Sequence, residues 1–184
     1  MPNYSQLSTI LKSLSAPLSE FDVSQYLAPC LIHAWVTDYG RSTPDYDIIE
    51  TSNDAGFSYL FDIQAQRLIA AWGLSTKKDT SSRDIIERRM RGHPLKNLVC
   101  GKRYHRGHAI PHTMGGRADI NLVPQLGVIN SGPFQRFERE AVATPGSLYL
   151  TYWSYPNAKT QRPSAAEQGL LVGGQEPKFA PFQN

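Results

Sequence analysis

Histidine is concentrated in one short window of the chain. Three of the five histidines lie in His105-Arg-Gly-His108-Ala-Ile-Pro-His112. An imidazole titrates near neutral pH, so it can take up or give a proton during hydrolysis, and it also binds zinc. A structural zinc site needs four ligands, and no fourth ligand stands near these three in the sequence. The window alone therefore leaves three interpretations open: a catalytic base, a histidine-bound zinc domain, or side chains that fill a loop.

The residues that follow the window favour hydrolysis. Asn121-Leu-Val-Pro-Gln125 comes next, and then Asn130 and Glu138. Cleavage of a phosphodiester needs an activated water, a cation against the developing negative charge, and help for the leaving oxygen. A hard cation such as Mg²⁺ prefers oxygen ligands and keeps several of its waters, so a single amide oxygen can hold it. The chain carries each of these chemical types in order.

This ordered set resembles the DNA/RNA non-specific endonuclease family, a branch of the ββα-metal (His-Me finger) nucleases. The resemblance covers roughly residues 57–155. It rests on RGH at 106–108, NxxPQ at 121–125, an asparagine five residues later and a glutamate eight residues after that. A second RGH, at 91–93, has no such partners downstream. The order of the residues, rather than RGH by itself, carries the resemblance.

The resemblance implies that His108 is the general base and that Asn130 is the ligand of Mg²⁺ or Mn²⁺. Arg106 adjoins the proposed base, and its planar guanidinium can bind a phosphate through two parallel hydrogen bonds. A surface arginine is the alternative for Arg106. The substrate implied is DNA or RNA.

Two further residues have a family role and a structural alternative. Glu138 resembles the glutamate that hydrogen-bonds metal-bound water, but an exposed helix glutamate paired with Arg136 or Arg139 would look the same in sequence. Asn121 resembles the asparagine near the active centre, but a turn-forming side chain would also explain it.

The sequence departs from the family pattern at two positions. His105 stands where an aspartate often precedes RGH, which removes a carboxylate from the expected site. Val142 stands where the secreted members place an arginine, four residues after Glu138. Arg136 or Arg139 would then have to face the charge of the transition state.

The stretch from His112 to Asn121 resembles nuclease domains at the ends of bacterial polymorphic toxins. This second resemblance implies a secreted or injected toxin that is held off by a cognate immunity protein. Neither a basic start nor a continuous apolar run is present at the N-terminus, so we expect no cleaved secretory signal. We also expect no membrane partner, because the apolar stretch 27–36 is far shorter than the ~20 residues a span requires. The cellular location stays open.

Basic residues gather in the middle of the chain. Residues 1–76 carry 3 Lys/Arg against 8 Asp/Glu, whereas residues 77–139 carry 13 against 5. Such a segment suits a polyanion, although a solvated helix face would give the same count. The candidates for contact with the nucleic-acid backbone are Arg67, Lys102, Arg103, Arg117, Arg136 and Arg139.

The elements that position these residues predict an α+β fold. We expect a mixed or antiparallel central sheet with flanking helices and a ββα-metal motif. Helices are predicted at 5–14, 80–91 and 132–143, and strands at 57–62, 68–74, 98–104, 122–123 and 147–155. The histidine window is predicted to be a loop, and residues 27–36 could be a buried helix or a strand.

One compact domain with appendages fits 184 residues, of which 40% are apolar. We divide it into an N-terminal helical and loop extension (1–56), a nuclease core (57–155) and an irregular tail (156–184). Cys30 and Cys100 could pair or stay free. The expected function is a metal-dependent, non-specific endonuclease; the alternative is a non-catalytic nucleic-acid-binding module with a basic face.

Overall fold

The structure is a computed structural model that describes residues 1–76, 79–80, 103–117 and 119–184. A six-stranded antiparallel sheet forms its centre, in the order β1-β2-β3-β6-β7-β8. These strands are β1 (Ile48–Ser52), β2 (Ser58–Asp62), β3 (Arg67–Leu74), β6 (Leu148–Ser154), β7 (Ala165–Leu171) and β8 (Lys178–Gln183). A separate antiparallel pair consists of β4 (Tyr104–His108) and β5 (Leu122–Leu126). The predicted α+β class is confirmed.

In the described part of the chain, three helices of seven or more residues accompany the sheet: α1 (Leu7–Ser13), α2 (Ala28–Ser42) and α3 (Gln135–Ala143). The open question about residues 27–36 is answered by α2, which buries Leu31 and Trp35 on one face, four residues apart. Two short turns, Glu20–Asp22 and Val23–Leu27, lead directly into it.

Aromatic side chains attach the helices to opposite faces of the sheet. Trp35 of α2 packs on Trp72, with ring centres 5.4 Å apart, and stacks on Tyr152 at 6.4 Å. Phe134, just before α3, packs on Trp153 at 5.7 Å. Tyr152 and Trp153 are successive residues of β6 and therefore point to opposite faces. The sheet is thus covered by α2 on one side and by the segment around α3 on the other.

The segment predicted to be an irregular tail contains two strands, so that prediction is wrong. Gly169 lies inside β7, and Pro181 lies in β8 at the edge of the sheet. Glycine and proline lower the strand signal in the sequence, but an edge strand tolerates proline because one side needs no hydrogen bonds. Since β1 also belongs to this sheet, the sheet extends beyond residues 57–155 at both ends.

Two further predictions about the site region need correction. The first half of the histidine window, residues 105–108, belongs to strand β4 rather than to a loop. The helical segment does not begin at Gly132–Pro133; it begins with Gly127–Ile129 and Asn130–Phe134, and then continues as α3. Gly132 instead forms a kink in it, with φ −113° and ψ −109°. Proline promotes such a kink because it lacks the N–H that a continuous helix would use.

Several predictions lie outside the described residues. These are the helix at 80–91, the second RGH, most of the strand at 98–104, and Cys100. Cys30 is half-buried and free, and burial raises the pKa of its thiol. Across the part of the chain that the structure describes, no helix combines the length and the apolarity needed to cross a membrane.

Candidate active site

A cavity of about 560 Å³ lies between the β4 region and the helical segment that leads into α3. One wall comes from β4 and the turn after it, and the other comes from the helical segment. The polar and charged side chains that line it include His105, Arg106, His108, His112, Asn130, Glu138 and Arg139. Five of the sequence-predicted site residues therefore border one cavity, namely His108, Arg106, Asn130, Glu138 and Arg139.

His108 is held by the pairing of β4 with β5. It is the last residue of β4 and lies opposite Leu122, while His105 lies opposite Gln125. Gly107 between them is required by the pairing, because a Cβ there would come within 2.2 Å of the Gln125 Oε1. The glycine of RGH and the glutamine of NxxPQ are thus in direct contact across the two strands.

Asn121 holds the backbone that follows His108. Its side chain is fully buried, accepts a hydrogen bond from the Ile110 N–H at 2.7 Å, and donates one to the Ile110 carbonyl at 2.8 Å. The backbone carbonyl of Asn121 accepts a hydrogen bond from the Ala109 N–H at 2.9 Å. Because both polar ends of the side chain are used by the backbone, Asn121 is a positioning residue rather than one that reaches a substrate. The turn-forming alternative is the one that the geometry favours.

Gly116 completes this support, and the sequence analysis did not single it out. A Cβ at Gly116 would lie 1.8 Å from the Ile110 carbonyl oxygen and 2.9 Å from the Asn121 Nδ2. Only glycine fits at so short a distance from backbone atoms. The paired glycines after Met114 are the sequence signal that could have indicated a close approach.

Asn184 is a second supporting residue that was missed. Its side chain accepts from the Leu126 N–H at 2.8 Å and donates to the carbonyls of Pro124 and Pro163 at 2.9 and 3.0 Å. It therefore fastens β5 to the chain just before β7. Nothing in the sequence around Asn184 indicates this contact, because both partners are distant in the chain.

The helical wall carries Asn130 and Glu138. Asn130 lies in the turn before the kink, and Glu138 lies in the first turn of α3. Phe134 between them is fully buried against Trp153 and Phe182. This packing fixes the wall on the sheet, so that both polar side chains face the cavity.

Burial determines the electrostatic state of Glu138. Loss of hydration raises the pKa of its carboxyl to about 8, and the nearby Arg139 opposes that rise. The Arg139 guanidinium donates to the Gln135 Oε1 at 3.1 Å. Glu138 is half-buried, so the alternative of a solvent-exposed glutamate is not supported.

Apart from Arg67, the basic side chains predicted to contact the nucleic acid fall into three groups by their position relative to the cavity. Arg106 and Arg139 line the cavity. Arg103, Arg117 and Arg136 are exposed but do not line it. Lys102 lies outside the described residues. Of the two arginines proposed to replace the family arginine at position 142, only Arg139 borders the cavity, as does Val142 itself.

Arg67 is not a surface residue, and its predicted role in substrate binding is wrong. Its guanidinium donates to Tyr39, Thr43 and the carbonyls of Asn157 and Thr160, at 2.6–2.8 Å. It also lies 4.0 Å from the ring centre of Tyr155. With 1% of its surface exposed, Arg67 is a structural cation that ties β3 to the loop after β6.

The donor set of the cavity suits a hard cation. Asn130 and Glu138 offer an amide oxygen and a carboxyl group, and the open volume leaves room for water and a phosphate. A cation near Glu138 would also favour the ionised form of its carboxyl. Among the described residues, no three His, Cys, Asp or Glu side chains form a metal-binding group, so the three histidines of the window do not assemble into a zinc site.

Comparison with known proteins identifies a fold but no sequence relative. No protein-family model matches the chain, and no curated protein matches it significantly. The structure of NucA from Streptococcus agalactiae with magnesium ion bound is similar, with a TM-score of 0.51 and 14% identity, over 83% of this chain and 88% of that chain. NucA with no metal bound gives a TM-score of 0.49 and 14% identity, over 82% and 88%. The chain therefore has a NucA-like fold.

Proposed function

We propose that the protein is a metal-dependent endonuclease that hydrolyses phosphodiester bonds in DNA or RNA. The observation that carries the proposal is that His108 and Asn130, from a strand and from a separate helical turn, border the same cavity. Arg106 and Glu138 border it as well. The fold agrees with this proposal, because the similar NucA structure contains a magnesium ion.

The residues of the cavity divide the work of hydrolysis. The His108 imidazole takes the proton of the attacking water, while Arg106 and Arg139 bind the phosphate oxygens. Asn130 would hold Mg²⁺ or Mn²⁺ directly, and Glu138 would hold it through water. The bound ion supplies charge stabilisation at the phosphate. Because these contacts involve only the nucleic-acid backbone, we expect little sequence preference.

We further propose that the enzyme acts as a secreted or injected antibacterial toxin with an immunity partner. The similarity of the stretch from His112 to Asn121 to polymorphic-toxin domains supports this role. Expression of the wild-type chain in a bacterial cytoplasm should arrest growth, and His108→Ala should relieve the arrest. Growth that is unaffected by an active, soluble enzyme would argue against the toxin role alone.

Cleavage of plasmid DNA and of a long RNA in Mg²⁺ or Mn²⁺ tests the enzymatic proposal. His108→Ala should lower the rate about 10²–10⁴-fold, as loss of a general base does. His33→Ala is the matched control, because His33 is an exposed histidine of α2 that does not border the cavity. Tight binding of DNA without cleavage would instead support the non-catalytic binding module.

A further inference from the structure

Besides His108, two imidazoles border the cavity, those of His105 and His112, and neither has a function assigned so far. His112 begins a short helical turn, His112–Met114, directly after Pro111. Its side chain is half-buried and lines the cavity. Its Nε2 atom is buried and has no hydrogen-bond partner in the structure as described. Buried polar atoms without partners are rare in folded proteins, so this nitrogen needs a physical explanation.

The backbone around His112 is held on both sides. On one side, Asn121 binds both backbone groups of Ile110. On the other, the Gly115 N–H donates to the His112 carbonyl and the Gly116 N–H donates to the Pro111 carbonyl, at 2.9 and 3.1 Å. Because its Nε2 has no hydrogen-bond partner among the described residues, a contact made by that nitrogen would displace none. His112 therefore combines a fixed position with a nitrogen that is free to accept a new partner.

The three histidines of the window occupy different places along the cavity. The His105 ring lies against Gly127, where an added Cβ would be 2.7 Å from the His105 Nε2, at the start of the helical segment. His108 ends β4, and His112 follows after the Asn121-bound turn. His108 and His112 lie on one wall of a cavity with room for a phosphate, and a short turn separates them. One imidazole can therefore serve the attacking water and the other the leaving oxygen.

We propose that His112 is the general acid that protonates the leaving oxygen. This inference rests on the proposed function. The water oxygen forms a bond to phosphorus and its proton passes to the His108 imidazole. The bond between phosphorus and the leaving oxygen breaks, and that oxygen takes a proton from the His112 imidazolium. Exchange with solvent then returns both rings to their starting states, so no other reactant is consumed.

Two of the charged groups that border the cavity are not proton donors. A guanidinium stabilises negative charge but does not give up a proton, so Arg106 and Arg139 cannot act as the general acid. Two candidates remain besides His112: the His105 imidazole, which also lines the cavity, and the Glu138 carboxyl, which is partly buried on the opposite wall. The test must therefore separate His112 from both His105 and Glu138.

A DNA oligonucleotide in which sulfur replaces the bridging leaving oxygen provides this separation. A thiolate leaves without protonation, so the need for a general acid disappears while the rest of the substrate is unchanged. The end groups of the wild-type products on normal DNA show which bridging oxygen to replace. The assay uses Mn²⁺ for both substrates, with His112→Gln, His112→Ala and His105→Ala compared against wild type and His33→Ala.

We expect both His112 variants to cleave normal DNA about 10²–10⁴-fold more slowly than wild type. On the sulfur-containing DNA they should recover to within about tenfold of wild type, which is below the loss expected for a missing acid. His108→Ala and Glu138→Gln should stay impaired on both substrates. Thermal unfolding of each variant measures how much of it is folded. His112→Gln is the more conservative of the two His112 variants, because glutamine is closer to histidine in size and polarity than alanine is.

Three results would overturn the assignment of His112. These are an equal loss by the His112 variants on both substrates, no loss on either, or recovery on the sulfur substrate of His105→Ala or Glu138→Gln rather than of the His112 variants. In each case a wild-type enzyme that depends on His108 leaves the proposed function intact. A wild-type chain that cleaves neither substrate rejects the proposed function, and the role of His112 with it.

Discussion

Alanine substitution of two asparagines nine positions apart should have two different effects. Asn121→Ala should lower the stability of the fold, whereas Asn130→Ala should lower cleavage without lowering stability. Asn121 is fully buried, and its side chain satisfies both backbone groups of Ile110, which is itself fully buried. Asn121→Ala leaves that N–H and that carbonyl without partners. Each unmet buried group costs about 1–3 kcal/mol, so the pair should lower the free energy of unfolding by roughly 2–6 kcal/mol. For a chain of this size, that corresponds to a fall in Tm of about 5–20 °C.

Asn130→Ala is the matched control. The Asn130 side chain is half-buried and borders the cavity. Its truncation should change the free energy of unfolding by less than about 0.5 kcal/mol, as most surface changes do. Cleavage should nevertheless fall sharply, because the amide oxygen that would hold the cation is gone.

Urea unfolding in the presence of a chelator measures the stability of the fold without the contribution of bound metal. Plasmid cleavage in Mg²⁺, at a temperature where both variants stay folded, measures the chemistry. If Asn121→Ala unfolds like wild type but is inactive, its side chain acts on the substrate and the positioning role is wrong. If Asn130→Ala loses stability in proportion to activity, Asn130 is not a dedicated ligand.

Three further predictions concern charge and anchoring. Burial raises the pKa of Glu138 from an ordinary 4.5 to about 8, so in metal-free protein its carboxyl lowers stability progressively as pH rises through that interval. In the presence of chelator, Glu138→Gln should therefore leave Tm unchanged at low pH and raise it above that of wild type at alkaline pH. An equal shift in Tm at both pH values would show that ionisation of the buried carboxyl is not the cause. Arg67→Met leaves the buried hydrogen-bond acceptors of Arg67 without a donor, so it should cost roughly 3–5 kcal/mol in urea unfolding and leave the KM for DNA unchanged. Arg139→Met should instead raise the KM and leave stability unaltered. Asn184→Ala should reduce kcat, because β5 loses the hydrogen bonds that hold it. Gln183→Ala, which changes an exposed neighbour, should leave kcat unchanged, and equal kcat values for the two variants would exclude the anchoring role of Asn184.

The motif residues could be placed from the sequence because each belongs to a local pattern. His108 and Gly107 lie in one short strand, and Asn121 directly precedes the strand that pairs with it. The pairing of β4 with β5 brings residues 14 to 22 positions apart into register, so RGH and NxxPQ meet at one site, although the sequence predicted a loop at RGH. The same local logic predicts α1 and the two strands β2 and β3, whose apolar periodicity is strong.

Arg67 shows why other residues could not be placed. An arginine next to the turn between two predicted strands is expected to be exposed to solvent. Arg67 is buried instead, because residues from distant parts of the chain surround its guanidinium. Tyr39 comes from α2, and Tyr155 follows β6. Burial of a guanidinium requires hydrogen bonds to its donors, and here the partners are set by the tertiary fold rather than by neighbouring residues. Strand β8 could not be predicted for the same reason. Its proline and polar residues do not indicate a strand, and its extended conformation is stabilised by pairing with β7.

Strand β8 also connects the two walls of the cavity. At its start, the Lys178 ammonium binds the Glu140 carboxylate of α3 at 2.5 Å, and near its end Phe182 packs on Phe134 at 5.7 Å. Asn184, directly after it, holds β5, which pairs with the strand that carries His108. The helical wall and the β4 wall are therefore both attached to one strand at the edge of the sheet. Because a catalytic distance depends on the relative position of the two walls, a substitution in β8 can alter the chemistry without touching any residue that lines the cavity.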